Sequence, residues 1–85
     1  MPPNNKIEYK ASALRDLKKL DRQAAERVMD DAEAALGKDA DAGIPLKGNF
    51  KGLFKYRVGD YRVIYAKTRE GVLILRIGHR STVYR

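Results

Sequence analysis

The spacing of apolar residues changes once along the chain, from a helical period to a period of two, at Phe54. Before that point, Lys6-Ile7-Glu8-Tyr9 alternates polar and apolar residues and predicts a short opening strand. Ser12 is placed to cap a helix whose one face carries Leu14, Leu17 and, off the ideal spacing, Leu20. Asp21 can cap a second helix, in which Ala25, Val28, Ala32, Ala35 and Leu36 keep the i, i+3/i+4, i+7 rhythm. Gly37 stands where a left-handed residue commonly closes a helix. The two helices are expected to form an antiparallel hairpin joined near residues 20–22. Residues 37–49, with Gly37, Gly43, Pro45 and Gly48, read as a connection.

From Phe54 onward, Phe54, Tyr56 and Val58 alternate with Lys55 and Arg57, Gly59-Asp60 interrupts, and Tyr61, Val63 and Tyr65 alternate with Arg62 and Ile64. A glycine at the first position of a two-residue turn accepts positive φ, so Gly59-Asp60 predicts a tight hairpin. Val58 then faces Tyr61, Arg57 faces Arg62, Tyr56 faces Val63, Lys55 faces Ile64 and Phe54 faces Tyr65. Cross-strand partners share a face. One face is therefore the aromatic and aliphatic set Phe54, Tyr56, Val58, Tyr61, Val63 and Tyr65, suited to the helices. The other carries Lys55, Arg57 and Arg62 together. A third run, Val72 to Ile77, is apolar on both faces except at Arg76 and reads as a buried inner strand. The fold class is α+β: an N-terminal helical hairpin packed on a small twisted antiparallel sheet of three to four strands, with residues 1–85 forming a single domain.

Composition narrows the chemistry. At 85 residues one core must serve the whole molecule, burying about 60–65% of the surface its unfolded chain exposes. The absence of cysteine excludes disulfides, cysteine-zinc sites and thiol nucleophiles, and the one histidine, His79, excludes paired-histidine catalysis within a chain. No run approaches the about 18 apolar residues of a membrane span, and the start lacks a signal-peptide layout, so the expected compartment is the cytoplasm. The net charge of +7 is unevenly distributed. Residues 1–41 hold 8 basic and 9 acidic side chains, whereas residues 42–85 hold 10 basic and 2 acidic, Asp60 and Glu70. A surface with that excess suits a polyanion.

Like charges set opposite one another destabilise a strand pair, so Arg57 beside Arg62 needs an explanation: either a solvated outer face where the long side chains splay into water, or a bound anion that compensates them. Arginine's planar fork can hold two phosphate oxygens at once. Two carboxylates are too few for the clustered acids of a metal-dependent nuclease, so neither metal nor cofactor is expected. RNA carries its own nucleophile, the 2′-OH, next to each scissile phosphate. A protein that cleaves it must align that group, accept its proton, stabilise the phosphate and assist the departing 5′-oxygen. Cations close to a lysine favour its neutral form. Lys55, flanked by Arg57 and Arg62, is the candidate general base, and the two arginines are candidates for holding phosphate charge. Arg80, Tyr84 and His79 are candidates for the leaving-group side.

Leu46-Lys47-Gly48, the stretch Leu53-Phe54-Lys55-Tyr56-Arg57-Val58-Gly59-Asp60-Tyr61-Arg62-Val63-Ile64-Tyr65, and the ending Ile77-Gly78-His79-Arg80 with Val83-Tyr84-Arg85 resemble the RelE branch of the RelE/ParE toxin superfamily. The resemblance spans nearly the whole chain. It implies a RelE-like toxin of a type II toxin–antitoxin module: a ribosome-dependent endoribonuclease, or mRNA interferase, that cuts message in the A site through the 2′-OH, without a metal. By position, Lys55 resembles the family's general base and Arg62 the arginine on the transition-state phosphate. Arg80 resembles the one assisting the leaving group, and Tyr84 the tyrosine that stacks on the mRNA base. Arg57 stands where relatives carry a second basic residue, usually lysine. Lys47, Lys51, His79 and Arg85 are the further candidates for RNA contact. The resemblance also implies a RelB-like antitoxin as partner, in a toxin–antitoxin hetero-oligomer, besides the ribosome and mRNA, and no membrane. The alternative is a ParE-like inhibitor of DNA gyrase without nuclease activity.

Overall fold

Two α-helices lie against one face of a five-stranded sheet in the computed structural model, which describes residues 4–81. In chain order the elements are β1 (Lys6–Tyr9), α1 (Ala11–Lys18), α2 (Arg22–Lys38), β2 (Ile44–Pro45), a 3-10 turn at Gly48–Phe50, β3 (Leu53–Val58), β4 (Tyr61–Lys67) and β5 (Gly71–His79). The strand order is β1-β5-β4-β3-β2.

The α+β class and the helical hairpin hold, and the sheet is larger and mixed. β1 pairs parallel to β5, because the two helices between them carry the chain back across the sheet before β3 begins. β2, inside the stretch read as a connection, pairs antiparallel to β3 through Ile44 opposite Lys55 and Pro45 opposite Phe54. Two residues, one of them a proline that cannot donate, leave no period to read.

Asp21 caps α2 as expected, its carboxylate accepting the Ala24 N–H at 2.8 Å. The other two helix signals resolve differently. Lys10, with extended backbone and no side-chain cap, precedes α1, while Ser12 lies inside the helix and donates its hydroxyl to the Leu75 carbonyl at 2.7 Å. Gly37 does not close α2 in a left-handed conformation; the helix continues through it to Lys38. The Leu36 and Gly37 carbonyls are instead taken up by the side chain and the backbone N–H of Asn5.

The core lies between the helices and the sheet. Ala13 and Leu17 from α1 and Val28, Ala32 and Leu36 from α2 meet Val58, Val63, Tyr65, Val72, Ile74 and Ile77. Removing each large aliphatic side chain from water contributes about 1.5–3 kcal/mol. Two tyrosines tie the sheet to α2: the Tyr9 hydroxyl donates to Glu33, and that of Tyr56 to Asp31 at 2.8 Å. Burial first, and the carboxylate partner second, raise both phenols above their ordinary pKa.

Ile74 and Ile77 both face this core although they are three residues apart. A bulge allows it. Ile64 pairs with Arg76 and Tyr65 with Ile74, so Leu75 is an extra residue on β5. Beyond Ile74 the outer edge of β5 has no strand beside it, and α1 takes over. Ser12 bonds the Leu75 carbonyl, and the Asp16 carboxylate accepts the Ile77 N–H at 2.9 Å and Arg76 Nε at 2.8 Å. Burial alone would raise the Asp16 carboxyl; the hydrogen bonds and the charge of Arg76 outweigh it and hold the group below its ordinary value. Among the described residues no helix is long and apolar enough to cross a membrane.

Candidate active site

The β3–β4 turn sets the geometry of the site. Gly59 adopts φ 58°, which a side chain would strain, and the register on either side is the expected one, Val58 opposite Tyr61 and Arg57 opposite Arg62 through to Phe54 opposite Tyr65. Lys55, Arg57 and Arg62 therefore share the face turned away from the helices. A depression of about 240 Å³ is lined by these three residues with Ala42, Ile44 and Tyr56.

Pairing separates these cations from others of the basic half. Arg76 is held by Asp16, and Lys67 by Asp41 at 2.6 Å while also lying 5.0 Å from the Phe54 ring centroid. Among the described residues no carboxylate forms an ion pair with Lys55, Arg57 or Arg62. Arg57 Nε reaches the Gly59 carbonyl and one Arg62 terminal nitrogen the Tyr61 carbonyl, both at 3.4 Å, the weak end of the hydrogen-bond range. Three cations so arranged, Lys55 and Arg62 half-buried and Arg57 exposed, could hold a phosphate with charge-assisted bonds from several sides.

The other candidates are dispersed. The Arg80 N–H donates to the Asp60 carbonyl at 2.9 Å, which tethers Arg80 to the hairpin turn. His79 pairs with Tyr61 and so belongs to the helix-facing side of the sheet, opposite to Lys55 and Arg62. Its ring meets Tyr61 edge-on and its Nδ1 lies 2.9 Å from the Ser81 hydroxyl. Together with Asp16, Lys19, Leu20, Tyr61 and Arg76 it lines a larger groove of about 410 Å³, whose Asp16 and Arg76 charges neutralise each other. Lys47 and Lys51 flank the 3-10 turn and are exposed, away from the depression. Tyr84 and Arg85 lie outside the described residues. Among the described residues no group of three or more His, Asp or Glu side chains could hold a metal ion.

Ile44 at the site and Arg27 beside the hairpin turn carried no sequence signal. Ile44 reaches the depression through the unpredicted β2. Arg27 comes from α2, in the charge-balanced half, and its guanidinium lies 3.7 Å from the position a Cβ on Gly59 would occupy. Gly43 explains how closely the chain before β2 approaches β3. A Cβ there would sit 2.6 Å from both the Lys55 carbonyl and the Tyr65 hydroxyl. That hydroxyl, wholly buried, accepts the Gly43 N–H at 3.0 Å and donates to the Ala40 carbonyl at 2.8 Å.

Residues 7–84 match the model of the ParE toxin of the type II toxin–antitoxin system parDE. The chain belongs to the ParE toxin family. Solved structures of related toxins share the fold of this ParE-family chain. It is similar to a chain of the RelBE2 toxin–antitoxin complex of Mycobacterium tuberculosis, at 31% identity and a TM-score of 0.83, over 95% of this chain and 97% of that one. The isolated RelE toxin of E. coli aligns at 23% identity and a TM-score of 0.70, over 94% and 90% of the two chains. E. coli YafQ aligns at 22% identity and a TM-score of 0.61, over 91% and 94%. At those identities the last two share the fold alone. No curated protein sequence matches the chain.

Proposed function

We propose that this ParE-family toxin is an mRNA endonuclease that works on ribosome-bound message and so inhibits translation. The observation that carries the reading is the trio Lys55, Arg57 and Arg62 on a single face of the β3–β4 hairpin, with no carboxylate paired to them among the described residues. In this reading Lys55 accepts the proton of a ribose 2′-OH, and the 2′-oxygen attacks the adjacent phosphorus. Arg57 and Arg62 hold the non-bridging oxygens as charge accumulates on them. The P–O5′ bond then breaks, leaving a 2′,3′-cyclic phosphate, and the departing 5′-oxygen takes up a proton, assisted by Arg80. Tyr84 is assigned the stacking of a base, and Lys47, Lys51, His79 and Arg85 outer contacts with RNA.

Among the described residues the depression holds no carboxylate or histidine to pair with Lys55, so in this reading alignment of the 2′-OH comes from the host that holds the message. Ribosomes are therefore part of the proposed reaction. The partner that restrains the toxin is a RelB-like antitoxin laying acidic residues over the basic face, in the cytoplasm. Complexes of RelB or DinJ antitoxins with toxins of this fold support that assignment.

Cleavage sites mapped on ribosome-bound message after brief expression test the reading. Cuts clustered at A-site codons, lost in Arg62→Ala with the fold intact, are expected. Uncut message together with trapped gyrase–DNA cleavage complexes would overturn it in favour of the gyrase inhibitor.

A further inference from the structure

Ile44 is 62% exposed, the most exposed of the large hydrophobic residues among those described, and it stands directly beside Lys55 in the sheet register. Because cross-strand partners share a face, its side chain borders the same depression as Lys55, Arg57 and Arg62. Its position is built. The segment leading to it is anchored by the buried Tyr65 hydroxyl at Ala40 and Gly43 and by the Lys67–Asp41 ion pair. Gly43 lets the backbone come against the Lys55 carbonyl where any side chain would collide. An aliphatic group is thus held at the lip of a cationic pocket on a short strand fixed at both its approach and its pairing.

A pocket for phosphate alone has no use for such a group. RNA alternates anionic phosphates with the apolar faces of ribose and base, and a surface that seats a chain of nucleotides needs something for each. We infer that Ile44 packs against the ribose and base of the nucleotide adjoining the phosphate held by Lys55 and Arg62, and so sets which phosphate is presented to them. The inference rests on the nuclease reading and adds a positioning residue to it.

Two measurements test it. In cleavage assays on programmed ribosomes, Ile44→Ser is expected to lower kcat/KM about tenfold, chiefly through KM, with the cut positions spread over neighbouring phosphates. Ile44→Val, which keeps most of the surface, is expected to lose fourfold or less. Native rates and native cut positions in Ile44→Ser overturn the inference, as does a variant that loses only antitoxin binding, which would assign Ile44 to a protein partner. In the second measurement, full-length toxin with ¹³C-labelled isoleucine methyls is titrated with an uncleavable 2′-O-methyl RNA oligonucleotide and, separately, with inorganic phosphate. The oligonucleotide is expected to give nuclear Overhauser contacts between the Ile44 methyl and ribose or base protons. No such contact, or the same methyl shift with inorganic phosphate, overturns it. If native toxin leaves ribosome-bound message uncut, the nuclease reading falls, and the oligonucleotide contacts still decide the placement of Ile44.

Discussion

The carboxylate of Asp16 on α1 accepts the backbone N–H of Ile77 on β5 at 2.9 Å, joining residues 61 apart in the chain. The same oxygen takes Arg76 Nε, and its neighbour takes an Arg76 terminal nitrogen at 3.2 Å, so one buried acid serves both the bulged backbone and the exposed arginine next to it. Asp16→Ala would leave that N–H and guanidinium without their acceptor. A loss of about 2–3 kcal/mol in urea unfolding is expected, with Asp16→Asn losing less because its amide oxygen can still accept.

The depressed carboxyl of Asp16 also predicts a pH dependence. A group whose folded pKa lies below its unfolded value stabilises the protein fully above the unfolded value, near about 4, and the gain is lost as pH falls through the lower folded value. Asp16→Asn should flatten the stability curve in that acidic window and change its shape little near neutrality. A variant curve parallel to the native one through the window would contradict the assignment.

Arg57 opposite Arg62 makes the opposite kind of contribution. Two like charges facing across the hairpin oppose pairing, so Arg57→Thr should stabilise the free toxin by about 0.2–1 kcal/mol at low salt. Added salt should narrow that difference, because screening relieves the native repulsion. The same substitution should reduce cleavage of ribosome-bound message. A variant both more stable and fully active would remove Arg57 from the phosphate site.

Glycines 71 and 37 should respond with opposite signs. A Cβ on Gly71 would lie 2.2 Å from the Lys6 carbonyl oxygen and 2.5 Å from its nitrogen, so Gly71→Ala must push β1 away from β5 and cost about 2 kcal/mol or more. At Gly37, within α2, the new methyl would meet no described atom within 4 Å apart from its chain neighbours and the helix's own backbone. Gly37→Ala should gain about 0.4–1 kcal/mol by removing backbone freedom from the unfolded chain. Thermal unfolding of the two variants checks both signs.

Tyr65→Phe removes the hydroxyl that joins Ala40 to Gly43. A loss of about 1–3 kcal/mol is expected, since two backbone groups lose their partner. Amide exchange should quicken at residues 40–44 in particular, where that hydroxyl is the anchor. Protection unchanged there would mean the loop is held by other contacts.

The hairpin was legible in the sequence because three independent signals agree on it: a period of two on both sides, a Gly-Asp turn, and an aromatic face that only one register keeps whole. That register brings Lys55, Arg57 and Arg62 to one face, so their grouping at the candidate site was legible as well. The remainder depends on contacts between distant segments. Ser12 resembles a cap at the level of local pattern, and only the arrival of β5 beside α1 gives its hydroxyl the Leu75 carbonyl. Leu75 is one apolar residue in an apolar run, so nothing marks it as the extra residue of a bulge. Ile44 sits on a strand too short to alternate, and Arg27 comes beside the turn only because α2 packs against β3, which composition does not encode.

The layering of the molecule has an electrical consequence. The helices draw on the half of the chain that is close to neutral, and the inner strands β3 to β5 on the half that carries the surplus of cations. The toxin is therefore a dipole across its own thickness. A polyanion exerts a torque on it during approach, turning the hairpin side forward before any contact forms.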